Sequence, residues 1–226
     1  MALNEASPAV RLELDSRPET LTLVRGVLAG VAELIGLDPE LLDDLKTAVS
    51  EACNNVVMHA YGGETGPLEV RMSFAGERDG KPLLHLPTGA GPDEHETDWL
   101  SGDAVVSLSP ISLLAGVLGR VARALAARAR FSLDRFSDVY LVTDAIAAHA
   151  ARAAKGARMS FAISTDAQRL QLTIGPFVEG SGEQLSHQAP DYSAASALTM
   201  LTDELEIRRN GEGEILYVVM VDRRRT

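Results

Sequence analysis

Positive charge, cysteine and long apolar runs are all in short supply in this chain, and each shortage removes a class of function. Lysine and arginine number 21 against 32 aspartates and glutamates, a net charge of -11. A nucleic-acid backbone or an anionic membrane would repel such a surface, so both drop out as partners. Cys53 is the single cysteine, which excludes an intramolecular disulfide. The longest apolar stretch, residues 105–118, carries Pro110 and meets Arg120 too soon to span a bilayer. No charged start followed by an apolar segment marks an export signal, and a reducing, cytoplasmic setting is expected. P-loop, HExxH, nucleophile-elbow and zinc-ligand spacings are missing as well, which leaves few enzyme classes open.

What is present is a globular composition: 226 residues at 46% hydrophobic content can pack one large core or two small ones. Self-similarity divides the chain. LTLVRGVLAGVAEL (residues 21–34) lies over ISLLAGVLGRVARA (111–124), and LLDDLKTAVSEACNNVV (41–57) over RFSDVYLVTDAIAAHAA (135–151). MSFA occurs at 72–75 and again at 159–162. Two copies of one unit are therefore expected, at about 8–89 and 104–225, joined by an acidic linker at 90–103. Each begins with a short alternating strand followed by two helices. The second copy continues with strands at 158–163 and 169–174, a helix at 194–201, and a hairpin turning at Asn210-Gly211. The first copy has no counterpart of that helix and hairpin. The fold expected is a duplicated α/β (α+β) two-layer sandwich, with helices on one face of a mixed or antiparallel sheet.

Residues 50–63, SEACNNVVMHAYGG, pose a local question. Asparagine is a weak helix former, costing about 0.5 kcal/mol against alanine, yet two stand together within a strong helical pattern. On a helical wheel Leu45, Val49, Ala52, Cys53, Val56, Val57 and Ala60 share the arc that should face the sheet. Glu51 and Asn55, one turn apart, project from the other side, with Asn54 beside them and His59 at the edge. A carboxylate and an amide placed so can supply a base and a hard oxygen ligand for a cation such as magnesium.

At these residues the chain resembles a known family. LKTAVSEACNNVVMHAYGG is similar to the N-box helix of the GHKL (histidine kinase/HSP90-like) ATPase superfamily, and within it to the anti-sigma-factor serine/threonine kinases. The resemblance implies a Bergerat-type fold binding ATP and Mg2+. It implies that Glu51 is the general base, that Asn55 ligates the metal, and that Asn54, His59 and Tyr61 lie around the nucleotide. It also implies a sigma factor and an anti-anti-sigma protein as partners, and a homodimer is compatible with it.

The chain departs from the family pattern at its glycine boxes. After Phe74, where an Asp-x-Gly-x-Gly box should bind adenine, stands AGERDGKPLLHLPTGAGP, which has glycines at Gly89 and Gly91 without the aspartate. One explanation is that residues 68–74 form the last strand of the family fold and that the section before them has been lost. In the second copy the ungapped match puts Ala145 in the place of Glu51 and His149 in that of Asn55, whereas a one-residue slip brings Asp144 to the acid's place. Two functions follow: an ATP-dependent serine/threonine protein kinase that regulates transcription through protein partners, or a non-catalytic pseudo-kinase module that keeps the fold and the partner surface. The remaining candidates read as structural or solvated. Cys53 is a core residue, Asp93, His95, Glu96 and Asp98 are linker, His149 is a surface or interface group, and 223–225 are a solvated end.

Overall fold

The computed structural model describes residues 9–78, 81–85, 88–90, 99–182, 185 and 194–223. Strand β1 (Val10–Asp15) alternates, with Val10, Leu12 and Leu14 buried. Helix α1 (Thr20–Ile35) buries the stripe Leu23, Val24, Val27, Leu28 and Val31, each worth about 1.5–3 kcal/mol of transfer free energy. Gly36, at φ 65°, ends it. Helix α2 (Pro39–Asn55) starts at Asp38, whose carboxylate accepts from the Glu40 and Leu41 amides, with proline in the first turn. Its last turn widens into a π-helical segment, Val56–Ala60.

β2 (Pro67–Arg78) pairs antiparallel with β1, Leu68 opposite Leu14 and Met72 opposite Val10. β3 (Lys81–His85) and β4 (Thr88–Ala90) both pair antiparallel with β2, with a register shift in the β2–β3 pair between Phe74 and Glu77. Asp79 and Gly80, between the paired Arg78 and Lys81, lie outside the described residues. The rest of the chain repeats the order: β5 (Ala104–Leu108), α3 (Leu113–Arg128), α4 (Leu133–Ala153), β6 (Met159–Asp166) and β7 (Arg169–Phe177). It then adds α5 (Ala194–Leu201), β8 (Glu204–Asn210) and β9 (Gly213–Val221).

The strands form one sheet, ordered β3-β2-β1-β5-β6-β7-β9-β8, with β4 also on β2. Every pair is antiparallel, so the two-layer α+β sandwich stands and the sheet is not mixed. β1 and β5 join its halves, Leu12 opposite Val106. Above that seam α1 crosses α3, where a Cβ on Gly30 would stand 2.3 Å from the Gly116 carbonyl oxygen. Leucines and valines from both halves make one continuous core. On the face away from the helices Trp99 and Leu100 pack on Val105 and Ala162. Arg11 and Arg71 hold the buried Glu69 carboxylate there, at 2.8 and 2.6 Å.

Three details differ from the sequence expectation. The helix match at 21–34 over 111–124 is displaced by one turn: the closing bond Leu37 N to Ala32 O has its likeness in Phe131 N to Ala126 O. Likewise Arg130, at φ 58°, stands where Gly36 does. A shift of four residues nearly preserves the buried face at 3.6 residues per turn, so the hydrophobic pattern could not detect it. The two MSFA stretches are not in like positions either, since Met159 pairs with Leu108 at the end of β5, the place Leu68 takes on β1. Residues 68–74 are therefore the strand that follows the second helix, as β6 is, and not a last strand moved up by a deletion.

Candidate nucleotide site on helix α2

Helix α2 is held down by a narrow contact. Val49 and Cys53 are buried; Leu45, Ala52, Val56 and Val57 are half-buried. Ala60, expected on the same arc, is exposed, because the π-helical turn over 56–60 unwinds the helix and carries it off the 100° wheel. Ser50, in the middle of the motif, is buried instead: its hydroxyl accepts from Arg25 Nε at 2.7 Å and so ties α2 to α1. Nothing in the sequence pattern pointed to that bond, because its partner lies on another helix. Burial pushes the Cys53 thiol up to about 11, which keeps it a neutral core group.

The polar face is open. Glu51, Asn54, Asn55 and His59 are all exposed, together with Met58. The four sit within two turns of one helix end, each turned to solvent rather than into the core. Tyr61 differs: its hydroxyl donates to the Pro67 carbonyl at 2.5 Å, and its ring fills the space above Gly66, where a Cβ would come within 2.4 Å. It pins the turn between α2 and β2. Gly62 and Gly63, at φ 63° and 96°, take the left-handed backbone this turn needs. The Ser16 amide and hydroxyl then bond the carbonyl and amide of Gly66, fastening the turn to the end of β1.

Oxygen donors from Glu51 and Asn55 on an exposed face suit a hydrated hard cation shared with a ligand's phosphates. Among the described residues no group of three or more His, Cys, Asp or Glu forms a metal cage. The acidic cluster at 93–98 lies outside the described residues.

The corresponding face of α4 is covered. Ala145 and His149 are buried, α5 packs along the helix, and the His149 ring lies 5.2 Å from Phe177. His149 is thus an interior residue, not a surface group, while Asp144 is exposed. Burial holds the His149 pKa below the ordinary range, with Arg152 acting in the same direction and Glu214 against it. Two hollows among the described residues lie elsewhere. One of about 530 Å³ is lined by Arg17, Asp103, Arg128 and Thr165; another of about 630 Å³ by Ser132, Arg135, Asp203 and Asp222. Both are crossed by structural ion pairs, Arg128 with Asp103 and Arg135 with Asp203. At the C-terminal end Arg223 also reaches Asp203, at 3.2 Å, and 224–225 are outside the described residues.

A two-layer sandwich with an exposed Glu/Asn helix end beside a hairpin defines a class, and the comparison with known families agrees with it. Residues 14–84 match the histidine kinase-like ATPase domain. The serine-protein kinase RsbW of Bacillus licheniformis is 32% identical over 111 residues, 44% of this chain and 69% of that protein. RsbW of Bacillus pumilus is 42% identical over 64 residues, 28% of this chain and 40% of its own length. RsbW of Bacillus velezensis is 40% identical over 70 residues, covering 30% and 44%. The chain belongs to the GHKL ATPase superfamily and, within it, to the anti-sigma-factor serine kinase family. It spans between 40% and 69% of the length of these relatives. Among the described residues no helix is long and apolar enough to cross a membrane.

Proposed function

We propose that the chain is an ATP-binding regulator of the anti-sigma-factor kinase type, acting on transcription through protein partners: a sigma factor, an anti-anti-sigma protein, or both. The observation that carries this is the open face of α2, where Glu51, Asn54, Asn55 and His59 emerge together beside the buried Val49, Ser50 and Cys53. Magnesium ATP, when bound, supplies the phosphoryl group and neutralises its charge. The Asn55 side-chain oxygen serves as the protein's ligand to the cation. Glu51, one turn earlier, accepts the proton of an incoming serine hydroxyl. Asn54 and His59 flank the nucleotide, and Tyr61 fixes the turn below it.

Millimolar ATP with magnesium should raise the melting temperature, since a ligand of the native state stabilises it by mass action. Asn55→Ala should remove that shift. Glu51→Ala should keep it while stopping phosphoryl transfer to a serine-bearing partner. No shift at any ATP concentration in the unaltered chain refutes the reading. One observation favours the second reading, a partner-binding module that has lost the nucleotide. In the C-terminal half a turn and α5 follow the hairpin and lie over α4, whereas β4 ends at Ala90 and β5 already begins at Ala104. That interval is half the length of the one between β7 and β8, which holds the cover over α4.

A further inference from the structure

Glu214 is 1% exposed, yet it is a carboxylate, the second residue of β9, rather than an apolar core group. Burying an ionised carboxylate is costly unless donors surround it. The donors here are mainly backbone. Gly180 N donates to Oε1 at 2.8 Å and Gly182 N to Oε2 at 2.9 Å, and Arg209 Nη2 closes the set at 3.3 Å. The two amides belong to Glu-Gly-Ser-Gly, residues 179–182, the glycine-bearing turn that follows β7. Gly180 takes φ 79°, and a Cβ on Gly182 would strike Ile207 at 2.7 Å. The turn is also anchored to the end of α4, since Val178 N donates to Ala153 O and Lys155 N to Pro176 O. One turn of α4 away, His149 lies against Phe177.

We propose that the turn at 179–182 is an oxyanion cradle whose resident ligand is the chain's own Glu214 carboxylate. Held there, this side chain occupies both amides of the turn and keeps them from an external anion such as phosphate. Paired backbone amides that converge on an anion are what a phosphate-binding turn presents, and here the anion is built in. Desolvation pushes the Glu214 pKa up, but the bonds from Gly182 and Gly180 and the Arg209 charge outweigh it and hold the pKa below the ordinary carboxylate value. The cradle stands on these distances and is independent of the nucleotide reading.

The test uses small anions and no ATP, so its failure is separate from failure of the kinase reading. Glu214→Ala empties the cradle of its carboxylate. Formate or inorganic phosphate at tenfold over its dissociation constant should then raise the melting temperature by about 3 °C more than in the unaltered protein. Glu214→Gln, which fills the same volume, should show no such gain. An equal response in all three proteins overturns the cradle. If Glu214→Ala does not fold, the unaltered chain decides by NMR. The Gly180 and Gly182 amide protons should move together as Glu214 titrates below the ordinary carboxylate range, with Arg209 on β8 and His149 on α4 as the charged or titratable neighbours. Amides that ignore that titration refute the proposal.

Discussion

Glu51, Asn54 and Asn55 cost the helix free energy on propensity, and none of them contributes to the packing beneath it. Alanine at 51 and 55 together should therefore leave the fold intact or stabilise it by about 1 kcal/mol without nucleotide. A loss of several kcal/mol in denaturant melts would show that these side chains hold the structure together. Cys53 behaves in the opposite way: with its thiol pushed up to about 11 and no exposure, it should resist thiol reagents at neutral pH and react once the chain is unfolded. His149 gives a pH dependence. Its folded pKa lies below the unfolded value near 6.5, so the unfolded chain binds the extra proton first. Stability should be full above about pH 6.5 and fall as the pH is lowered through the window beneath it. His149→Phe should flatten that slope in melts recorded between pH 7.5 and 5.5, and an unchanged slope would assign it to other groups. The four exposed polar residues were legible because they lie within two turns of one helix. His149 and Glu214 were not, because what buries them comes from β7, α5 and the turn at 179–182, far away in sequence.

At the scale of elements, glycine decides how closely the two halves approach. The Gly30 Cβ position is 2.3 Å from the Gly116 carbonyl, and the Gly116 Cβ position is 2.9 Å from the Gly30 carbonyl, so the helices cross with backbones nearly touching. Gly30→Ala gains about 1 kcal/mol of helix propensity, but the methyl must push α3 off the sheet. The net effect should be a destabilisation of about 1–3 kcal/mol. A variant as stable as the parent would mean the crossing is looser than the distances state. Several strands and the Asn210 hairpin could be read from periodicity and turn residues, and α5 fell at residues 194–201 as expected. The register between like helices could not, since a four-residue shift is one turn and leaves the apolar stripe in place. Tyr61 shows another limit: the sequence pattern gave no sign that its hydroxyl is bonded to Pro67 and its ring seated on Gly66.

For the whole molecule, the β1 edge and the α1 stripe matter most, because β5 and α3 cover both. In residues 1–90 alone, β1 would present unpaired amides and carbonyls beside β2, with Leu23, Val27 and Val31 of α1 losing the neighbours contributed by α3. An uncovered strand edge next to an apolar helix face is a template for self-association. We propose that the C-terminal half is a second copy of the fold that supplies this cover within one chain, its own α4 face buried under α5. The two β-α-α-β-hairpin orders and the near-central β1–β5 seam support the idea. Expressed alone, residues 1–90 should then run as a dimer or aggregate in size-exclusion chromatography with light scattering, while the full chain keeps the seam satisfied internally. Adding a separately expressed C-terminal half, residues 99–226, should return the first fragment to a soluble one-to-one complex. A stable, soluble monomer of residues 1–90 would mean that the seam is dispensable and that the two halves are neighbours by tethering only.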